Sequence, residues 1–397
     1  MDEKDTPHLP DPEVYIGQDG TPRSGVSDDV YFSTSGGAEE TRHVFLAGID
    51  APNFFKDRHL TRIAELGFGT GLNFLVTWRD WAATAPKGAT LHYTAIEGYP
   101  MSAEQLHMAL AHFPEMSIEI TALLAQWPPQ VSGTHRLVLH QGRVQLTLVF
   151  ADVRDALTGL IGQFDAWFLD GFSPAKNPGM WTDHVLNNVR KHCASGARVA
   201  TFTVAGQVRR TLAELGFVVE KRPGFGRKRD CLAARLDGED VPIGQPRNVA
   251  IIGAGIAGAA LAYRLRLRGH VPTLIDVAKH PGSAASGNPI ALIAPRLTRE
   301  RVPMGRILAS AYLRAVRFYD NLQDAGGDPW VGARGSFVMA RNDEEAERQS
   351  RSKNAYGWPD GVIQDISAAP ASAPTTVNVS VAGCWLSGAG ALSSPEV

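Results

Sequence analysis

The sequence predicts an α/β protein with two domains, each built on a mostly parallel sheet of the Rossmann type. Short apolar segments such as AWFLD alternate with helical patterns, and glycine-rich loops follow apolar strands at two places. The chain of 397 residues is long enough for two separate cores. Its hydrophobic fraction of 44% and charged fraction of 20% are typical of a folded protein and exclude general disorder.

The boundary between the domains is predicted in the polar segment 237–247, DGEDVPIGQPR. This segment contains two prolines and two glycines and few residues that could pack in a core. We therefore expect one domain over residues 1–240 and a second over residues 247–397. The segment from about 366 to 397 is rich in Ala, Ser, Pro and Gly without a clear amphipathic helix, so we expect the second domain to be incomplete.

The first glycine-rich loop, ELGFGTG, follows a predicted strand and precedes an apolar helix. Closely spaced glycines let a backbone approach a ligand that a Cβ would exclude, and the helix start offers free N–H groups. The E-x-G-x-G-x-G spacing favours S-adenosylmethionine over a dinucleotide. The glycines are Gly67, Gly69 and Gly71.

Two acidic residues end the next strands and extend this predicted ligand site. Glu97 lies about one βαβ step beyond the loop, where an acid can accept hydrogen bonds from both ribose hydroxyls. Asp152 ends the following strand, and we expect it to reach the adenine amino group. The alternative is structural: a tight turn and two helix-capping acids.

The fourth strand leads into the segment DAWFLDGFSPAKNPGMW, residues 165–181. Ligands of open α/β sheets lie beyond the carboxyl ends of the strands, so Asp170 is predicted to accept a hydrogen bond from an amine and orient its lone pair. A primary alkyl amine has a pKa of about 10.4 and must lose a proton before it attacks a methyl group. Phe172 and Trp181 are candidates for stacking on a base, and Lys176 for a substrate contact. Alternatively, Asp170 caps a turn and the aromatic rings are core.

The second glycine-rich loop, GAGIAG, matches G-x-G-x-x-G between a predicted strand and helix. Its glycines allow a tight turn, the approach of a pyrophosphate and close helix packing; they are Gly253, Gly255 and Gly258. Asp276 ends the next strand, where a ribose-binding acid belongs. Ser286 and Asn288 lie in a small-residue loop that is able to approach a bulky cofactor. These residues leave flavin and nicotinamide open, because both use this fingerprint.

A basic segment follows the first domain's last predicted helix. Five of the nine residues from 221 to 229 are basic, and Phe225 lies among them between glycines. Such a cluster could neutralise phosphates while the ring stacks on a base, although a solvated loop explains it equally well. The basic residues are Lys221, Arg222, Arg227, Lys228 and Arg229. The formal net charge of −2 neither implies nor excludes a nucleic-acid partner.

Composition and termini argue against export, membranes and metals. The three cysteines show no C-x-x-C spacing, so no disulfide framework or thiolate metal site is predicted. The N-terminal residues are polar, and no apolar run approaches the roughly 18 residues of a membrane span. We expect a cytoplasmic protein.

Several of these segments occur together, and in the same order, in one family. They are DDVYFS (28–33), ELGFGTGLNFL (65–75), DAWFLDGFSPAKNPGMW, PGFGRKRD (223–230), GAGIAG and ASGN (285–288). The chain thus resembles the bifunctional tRNA 5-methylaminomethyl-2-thiouridine biosynthesis proteins, the MnmC family. The resemblance implies a Rossmann-like class I methyltransferase domain, followed by the start of an FAD-binding Rossmann domain of the amine or glycine oxidase type.

The resemblance also implies two reactions on the wobble uridine of tRNA. The FAD domain removes the carboxymethyl group of 5-carboxymethylaminomethyl-(2-thio)uridine, and the other domain methylates the exposed amine from S-adenosylmethionine. Ser286 and Asn288 would lie near the isoalloxazine ring, and Arg227, Lys228 and Arg229 would contact tRNA. We find neither the substrate-binding sheet nor the late segment that covers the flavin in such oxidases, so we expect methyl transfer and leave the oxidase step open.

Two other functions fit the same residues less well. A non-catalytic tRNA-binding scaffold would not need the acids Glu97, Asp152 and Asp170 beside an intact glycine loop. A methyltransferase and amine oxidase fusion acting on small molecules would not need the basic PGFGRKRD segment.

Overall fold

The computed structural model describes residues 9–27, 29–32, 36–226, 228–239, 247–296, 303–324, 326–366 and 382–393. Contacts divide the chain into two compact units. The first unit comprises Pro10–Trp127 and Arg136–Gln245. The second comprises Pro246–Val397 together with Met1–Leu9 and the short segment Pro128–His135. The predicted boundary between residues 240 and 247 lies almost wholly outside the described residues.

The first unit contains a small antiparallel sheet and a large mixed one. The small sheet consists of β1 (Val14–Ile16), β2 (Pro22–Ser24) and β3 (Asp29–Val30). The strands of the large sheet are β4 (Leu60–Leu66), β5 (Thr90–Glu97), β6 (Gly133–Leu139), β7 (Val144–Phe150), β8 (Phe164–Leu169), β9 (Cys193–Thr201), β10 (Phe217–Pro223) and β11 (Asp230–Leu236).

The large sheet has the spatial order β10-β11-β9-β8-β4-β5-β7-β6. Strand β4 pairs in parallel with β5 and β8, and β7 and β9 extend the parallel region on either side. Strand β11 is antiparallel to both β9 and β10. In chain order, β5, β6 and β7 lie on one side of β4, and β8 to β11 lie on its other side. This reversal of strand order creates the crevice in which open α/β sheets bind ligands.

Helices cover the large sheet. They are α1 (Gly37–Thr41), α2 (Asn53–Lys56), α3 (Leu72–Thr84), α4 (Ala103–Leu110), α5 (Ser117–Ala125), α6 (Val153–Gly159), α7 (Asp183–Lys191) and α8 (Gly206–Glu214). Helix α7 illustrates why these segments form helices and pack on the sheet. Its residues Val185, Leu186 and Val189 are buried at helical spacing, and the Thr182 hydroxyl caps its start. Between sheet and helices the largest fully buried side chains include Trp81, Trp167 and Tyr93.

The second unit begins with a parallel βαβ arrangement and continues with antiparallel strands. Strands β12 (Asn248–Ile252) and β13 (Val271–Ile275) pair in parallel around α9 (Ile256–Arg266). The later elements are β14 (Ile290–Ile293), α10 (Pro303–Asp324), β15 (Trp330–Val331), β16 (Ser336–Met339), α11 (Asp343–Tyr356), β17 (Ile363–Ile366), β18 (Gly383–Leu386) and β19 (Gly390–Ser393).

These later strands form two antiparallel sheets, with the orders β14-β19-β15 and β16-β18-β17. Strands β18 and β19 lie in the final segment, where the sequence showed no regular pattern. Both are four residues long, too short for a periodic signal, and each is placed by its pairing with earlier strands. The core of this unit includes Tyr312, Trp358 and Ile363, and Val131 from the segment Pro128–His135 packs with them.

Two further observations bear on the predicted environment. No helix within the described ranges is long and apolar enough to cross a membrane. Cys193, Cys231 and Cys384 are buried thiols without disulfide bonds.

Candidate active site

The register of the large sheet brings the ends of four strands to one edge. Leu66 at the end of β4 pairs with Ile96 in β5 and with Leu169 in β8. Glu97 at the end of β5 pairs with Phe150 in β7. The residues that follow these parallel strands therefore lie together at their carboxyl edge, where the sequence analysis placed the methyl-donor site.

The glycine loop after β4 has a backbone that only glycine adopts easily. Gly67, Gly69 and Gly71 have φ angles of 80°, 52° and 74°, in the left-handed region. A Cβ on Gly67 would lie 3.0 Å from Cα of Gly171, in the loop after β8. The Gly67 amide donates to the carbonyl of Ile96 at 2.9 Å. The loop is thus tied to β5 and packed closely against the segment that follows Asp170.

Glu97 holds this loop from the neighbouring strand. Its Oε2 accepts a hydrogen bond from the Gly69 amide at 2.8 Å, and its Oε1 accepts one from the Tyr99 amide at 2.7 Å. Burial raises the pKa of Glu97, and these backbone N–H groups oppose the rise. The structure shows Glu97 in contact with backbone amides, and the proposed ribose contact stays a prediction.

Asp152 is exposed and caps helix α6. Its Oδ1 accepts a hydrogen bond from the Arg154 amide at 2.9 Å. This is the capping contact that the sequence analysis offered as the alternative role. An N-cap uses one oxygen of the carboxylate, so the contact with adenine stays a prediction.

Asp170 lies in a polar network that the sequence analysis did not foresee. The Asn73 side-chain amide donates to Asp170 Oδ2 at 2.7 Å and to Glu65 Oε1 at 2.8 Å. The Thr41 hydroxyl donates to Asn73 Oδ1 at 2.7 Å. The one available signal was Asn73 itself, a polar residue in the apolar helix start LNFLV.

The two carboxyl groups of this network differ in environment. Burial raises the pKa of half-buried Asp170 to about 6, against the Gly171 amide, the Lys228 charge and the Asn73 hydrogen bond, which lower it. Glu65 is fully buried, and burial together with the charge of Asp170 raises its pKa well above the usual value. At neutral pH the network therefore places its negative charge on Asp170 and a proton on Glu65.

The aromatic candidates separate into one at the site and one in the core. Phe172 is half-buried, and its ring meets that of Tyr31 edge to face at 5.5 Å. Trp181 is buried in the core, where its indole N–H donates to the carbonyl of Phe172 at 3.0 Å. Trp181 therefore supports the loop, as the alternative interpretation held, and does not offer a face for stacking. Lys176 is exposed and forms an ion pair with Asp29 at 3.4 Å.

The basic segment between β10 and β11 is partly paired with acids of the first unit. Lys228 pairs with Glu40 at 2.9 Å and lies over the Phe202 ring at 4.4 Å. Lys221 pairs with Asp230 at 2.7 Å. Arg229 is exposed, whereas Arg227 lies outside the described residues.

The glycine loop of the second unit has the close approaches that its motif predicted. Gly253 has a φ of 101°, and its amide donates to the carbonyl of Ile275 at 2.7 Å. A Cβ on Gly258 would lie 1.9 Å from the Gly253 carbonyl oxygen, so only glycine fits there. A Cβ on Gly255 would lie 3.1 Å from the Ser286 hydroxyl.

The polar candidates of this unit surround that loop. Asp276 accepts hydrogen bonds from the amides of Ala254, at 2.7 Å, and Ala278, at 2.8 Å, and these contacts lower its pKa. Ser286 accepts one from the Ile256 amide at 3.0 Å, at the first residue of α9. Ser286 thus lies at the helix start, where a pyrophosphate binds in this motif. Asn288 is exposed in the same small-residue loop.

Comparisons with known proteins agree with the two units. Residues 114–237 match the model of the S-adenosyl-L-methionine-dependent methyltransferase family Methyltransf_30. Residues 248–397 match the FAD dependent oxidoreductase family DAO. The fold class predicted from the sequence, a methyltransferase domain followed by an FAD-binding domain, is confirmed, and the two domain types use S-adenosylmethionine and FAD.

Curated relatives align with most of the chain. The tRNA 5-methylaminomethyl-2-thiouridine biosynthesis bifunctional protein MnmC of Magnetococcus marinus is 42% identical over 94% of this chain and 58% of its own length. That of Caulobacter vibrioides is 47% identical over 81% of this chain and 54% of its own. By sequence, the chain is similar to MnmC proteins over most of its own length. It spans somewhat more than half the length of these MnmC relatives.

A solved structure is also similar. The crystal structure of MNMC2 from Aquifex aeolicus aligns with a TM-score of 0.46 and 24% identity, over 58% of this chain and 72% of that chain. No group of three or more His, Cys, Asp or Glu residues that could hold a metal ion occurs in the part of the chain that the structure describes.

The residues present fit the cofactors of the two matched domain types. Gly67 and Gly69 form a left-handed turn that lies tightly against Gly171 and Tyr31, and Glu97 accepts a hydrogen bond from the Gly69 amide, so the turn from β4 into α3 has the compact backbone that this cofactor motif requires. In the second unit, Gly253 and Gly258 form the tight turn into α9 that the pyrophosphate-binding motif requires.

Proposed function

We propose that the first unit methylates the primary amine of 5-aminomethyl-2-thiouridine in tRNA, giving 5-methylaminomethyl-2-thiouridine. The observation that carries this proposal is the Asp170 carboxylate, which Asn73 holds beside the glycine loop at the carboxyl edge of the sheet. The names of the MnmC relatives supply the substrate class.

Each candidate residue has a defined role in this reaction. S-adenosylmethionine supplies an electrophilic methyl group when bound at Gly67, Gly69 and Glu97. Asp170 accepts an N–H of the amine and turns the nitrogen lone pair toward that group. The amine has a pKa of about 10.4 and is mostly protonated at neutral pH, so Asp170 would accept the proton that the amine must lose before its lone pair attacks. The N–C bond would then form as the bond between the donor sulfur and the methyl group breaks.

The tRNA itself is proposed to contact residues around this edge. Phe172 offers a half-buried ring on which the modified base can stack. Lys176, Lys228 and Arg229 are exposed cations that can approach backbone phosphates, and Arg227 belongs to the same segment. Because tRNA is the proposed substrate, we also propose that the protein acts in the cytoplasm.

The test of this assignment is the variant Asp170→Asn. We expect turnover of labelled methyl groups onto aminomethyl-bearing tRNA to fall by about 100-fold, because the amide cannot take the carboxylate's role in orienting and deprotonating the amine. The affinity for S-adenosylmethionine, measured by calorimetry, should stay close to that of the unaltered protein. A collapse of cofactor affinity would instead assign Asp170 to the cofactor site or to the fold.

The same assay separates the alternative functions. A methyltransferase for small molecules would label a free amino acid and leave tRNA unlabelled. A tRNA-binding scaffold would bind tRNA and transfer no label to either. The retained acids of the first unit favour the tRNA enzyme, because a scaffold does not require Glu97 and Asp170 at the cofactor edge.

For the second unit we propose FAD-dependent removal of the carboxymethyl group from 5-carboxymethylaminomethyl-(2-thio)uridine, which exposes the amine that the first unit methylates. FAD supplies the hydride acceptor for this oxidation. Gly253, Gly255 and Ser286 would hold its pyrophosphate, and Asp276 its ribose. A purified protein that absorbs near 450 nm, about where oxidised flavin absorbs, supports this activity. A colourless protein that methylates tRNA would restrict the chain to methyl transfer.

A further inference from the structure

One side-chain amide joins both carboxyl groups of the methyl-transfer site. Asn73 lies in the first turn of α3 and is 8% exposed. Its Nδ2 group carries two hydrogens, and both are used: one reaches Asp170 Oδ2 at 2.7 Å and the other Glu65 Oε1 at 2.8 Å. Its Oδ1 accepts from Thr41 at 2.7 Å, so every polar atom of this side chain has a partner.

We propose that Asn73 is a positioning residue for methyl transfer, whose carboxamide, oriented by Thr41 and anchored on Glu65, fixes the Asp170 carboxylate toward the acceptor amine. The proposal rests on the function proposed above for Asp170. It adds three residues, Thr41, Glu65 and Asn73, whose side chains act through Asp170.

The orientation of the amide follows from its partners. With the amide reversed, Oδ1 would face the ionised Asp170 Oδ2, and two acceptor atoms would meet without a hydrogen between them. The Thr41 hydroxyl is able to donate to Oδ1, which completes the observed arrangement. Glu65 is the penultimate residue of strand β4, whereas Asp170 follows β8, so Asn73 links two strands at the point where the strand order reverses.

The proposal also requires that Glu65, on which the Asn73 amide is anchored, is uncharged. Two ionised carboxylates sharing one amide would repel each other strongly in this environment. Burial and the charges of Asp170 and Glu97 raise the pKa of Glu65, and they outweigh the hydrogen bonds of Asn73 and Tyr93, which lower it. Asp170 faces the Lys228 cation and the Gly171 amide, which lower its pKa, while the charge of Glu40 raises it. The negative charge therefore belongs on Asp170 and the proton on Glu65.

The first experiment compares Asn73→Ala with Asn188→Ala. Asn188 is a suitable control because, like Asn73, it is 8% exposed. Its side-chain amide donates to the backbone carbonyl of His184 at 2.8 Å. In Asn73→Ala, Asp170 loses a hydrogen bond that favours its ionised form. We expect kcat to fall about 10-fold, and the acid limb of its pH profile to move upward by about one unit, with little change in KM for S-adenosylmethionine.

Asn188→Ala is expected to lower the melting temperature without moving the pH profile. If Asn73→Ala behaves in the same way, Asn73 has a purely structural role and the proposal is wrong. Should Asn73→Ala fail to fold, Asn73→Ser takes its place, because it keeps a small polar side chain and removes the link between the two acids.

The second experiment tests the uncharged state of Glu65. Glu65→Gln replaces one neutral group by another, so the acid limb of the kcat profile should stay where it is. If Glu65 were ionised, its replacement would remove a neighbouring negative charge and move that limb to lower pH. The infrared difference spectrum between the unaltered protein and Glu65→Gln, taken at about pH 8, should contain the carbonyl stretch of a protonated carboxyl group.

An infrared readout also separates this proposal from the proposed function. The carboxylate band lost in Asp170→Asn reports the titration of Asp170 without any turnover. If tRNA is not methylated at all, the proposed function fails, and an upward shift of that titration in Asn73→Ala would still support the positioning role. An unshifted titration would overturn it whatever the substrate is.

Discussion

At the scale of single residues, the unusual feature is a buried acid that keeps its proton. Glu65 is 1% exposed, and burial followed by the charge of Asp170 raises its pKa well above 4.5. The folded protein therefore binds a proton at Glu65 in a pH range where the unfolded chain has released it. Linkage then makes the contribution of Glu65 to stability largest at low pH and progressively smaller as the pH rises through that range.

This linkage predicts the pH dependence of stability of Glu65→Gln. The free energy of unfolding of the variant should rise relative to that of the unaltered protein as the pH increases above about 4.5, because glutamine releases no proton. Urea denaturation at a series of pH values measures the difference. Glu104→Gln is the control, since the pKa of exposed Glu104 is lowered by Ser102 and its trend should have the opposite sign. Parallel stability curves for Glu65→Gln and the unaltered protein would show that Glu65 is ionised in the fold.

At the scale of elements, each unit depends on a turn from a strand into a helix that excludes side chains. In the first unit the turn between β4 and α3 lies against the loop after β8, with Gly67 at their closest approach. In the second unit the turn between β12 and α9 closes on itself at Gly258. A side chain at either position would collide with backbone atoms. Backbone atoms cannot move aside as the end of a flexible side chain can.

For the first turn we predict that Gly67→Ala destabilises the protein and abolishes binding of S-adenosylmethionine. Gly88→Ala is a matched control, because Gly88 has the same φ of 80° but no atom within 4 Å of the added Cβ. Both variants should lose about 1–2 kcal/mol from the left-handed backbone. Only Gly67→Ala should lose cofactor affinity in calorimetry. Equal cofactor binding by the two variants would separate the loop from the cofactor site.

For the second turn we predict that Gly258→Ala loses flavin, since its Cβ would lie 1.9 Å from the Gly253 carbonyl oxygen. Gly361→Ala in the same unit meets no atom within 4 Å and should retain it. The ratio of absorption near 450 nm, about the flavin maximum, to protein absorption reports occupancy. Full occupancy in Gly258→Ala would show that the turn does not bind the pyrophosphate.

At the scale of the whole molecule, a net charge of −2 means that any tRNA contact depends on local clusters of cations. The cluster Arg227, Lys228 and Arg229 lies in the first unit, and its described members are exposed. A second set of three arginines, Arg341, Arg348 and Arg351, lies on or beside α11 and is paired with glutamates. The two sets carry equal charge, so they can be compared directly.

We predict that alanine at Arg227, Lys228 and Arg229 weakens tRNA binding and flattens its salt dependence. Each lost phosphate contact reduces the slope of log affinity against log salt by about 0.7–0.9. Alanine at Arg341, Arg348 and Arg351 should leave the slope unchanged. Fluorescence titrations at several salt concentrations measure both. An equal effect of the two sets would mean that overall charge, and not the PGFGRKRD segment, attracts tRNA.

The sequence predicts the parts of this molecule that depend on neighbouring residues. Alternating strands and helices place Glu97, Asp152 and Asp170 at the ends of parallel strands, and the register confirms that these ends share one edge. The network around Asn73 was not predictable in this way, because Thr41 and Asp170 reach it across 32 and 97 positions of chain. The burial of Trp181 likewise depends on packing with Phe202, which no local pattern indicates.

The most direct test of the central claim is the product of one incubation. The purified protein, S-adenosylmethionine and tRNA carrying 5-aminomethyl-2-thiouridine are combined, and the nucleosides are analysed by mass spectrometry. The account predicts that this nucleoside gains one methyl group on its amine in the unaltered protein and remains largely unmethylated with Asp170→Asn. Methylation at another position, or equal methylation by both proteins, would contradict it.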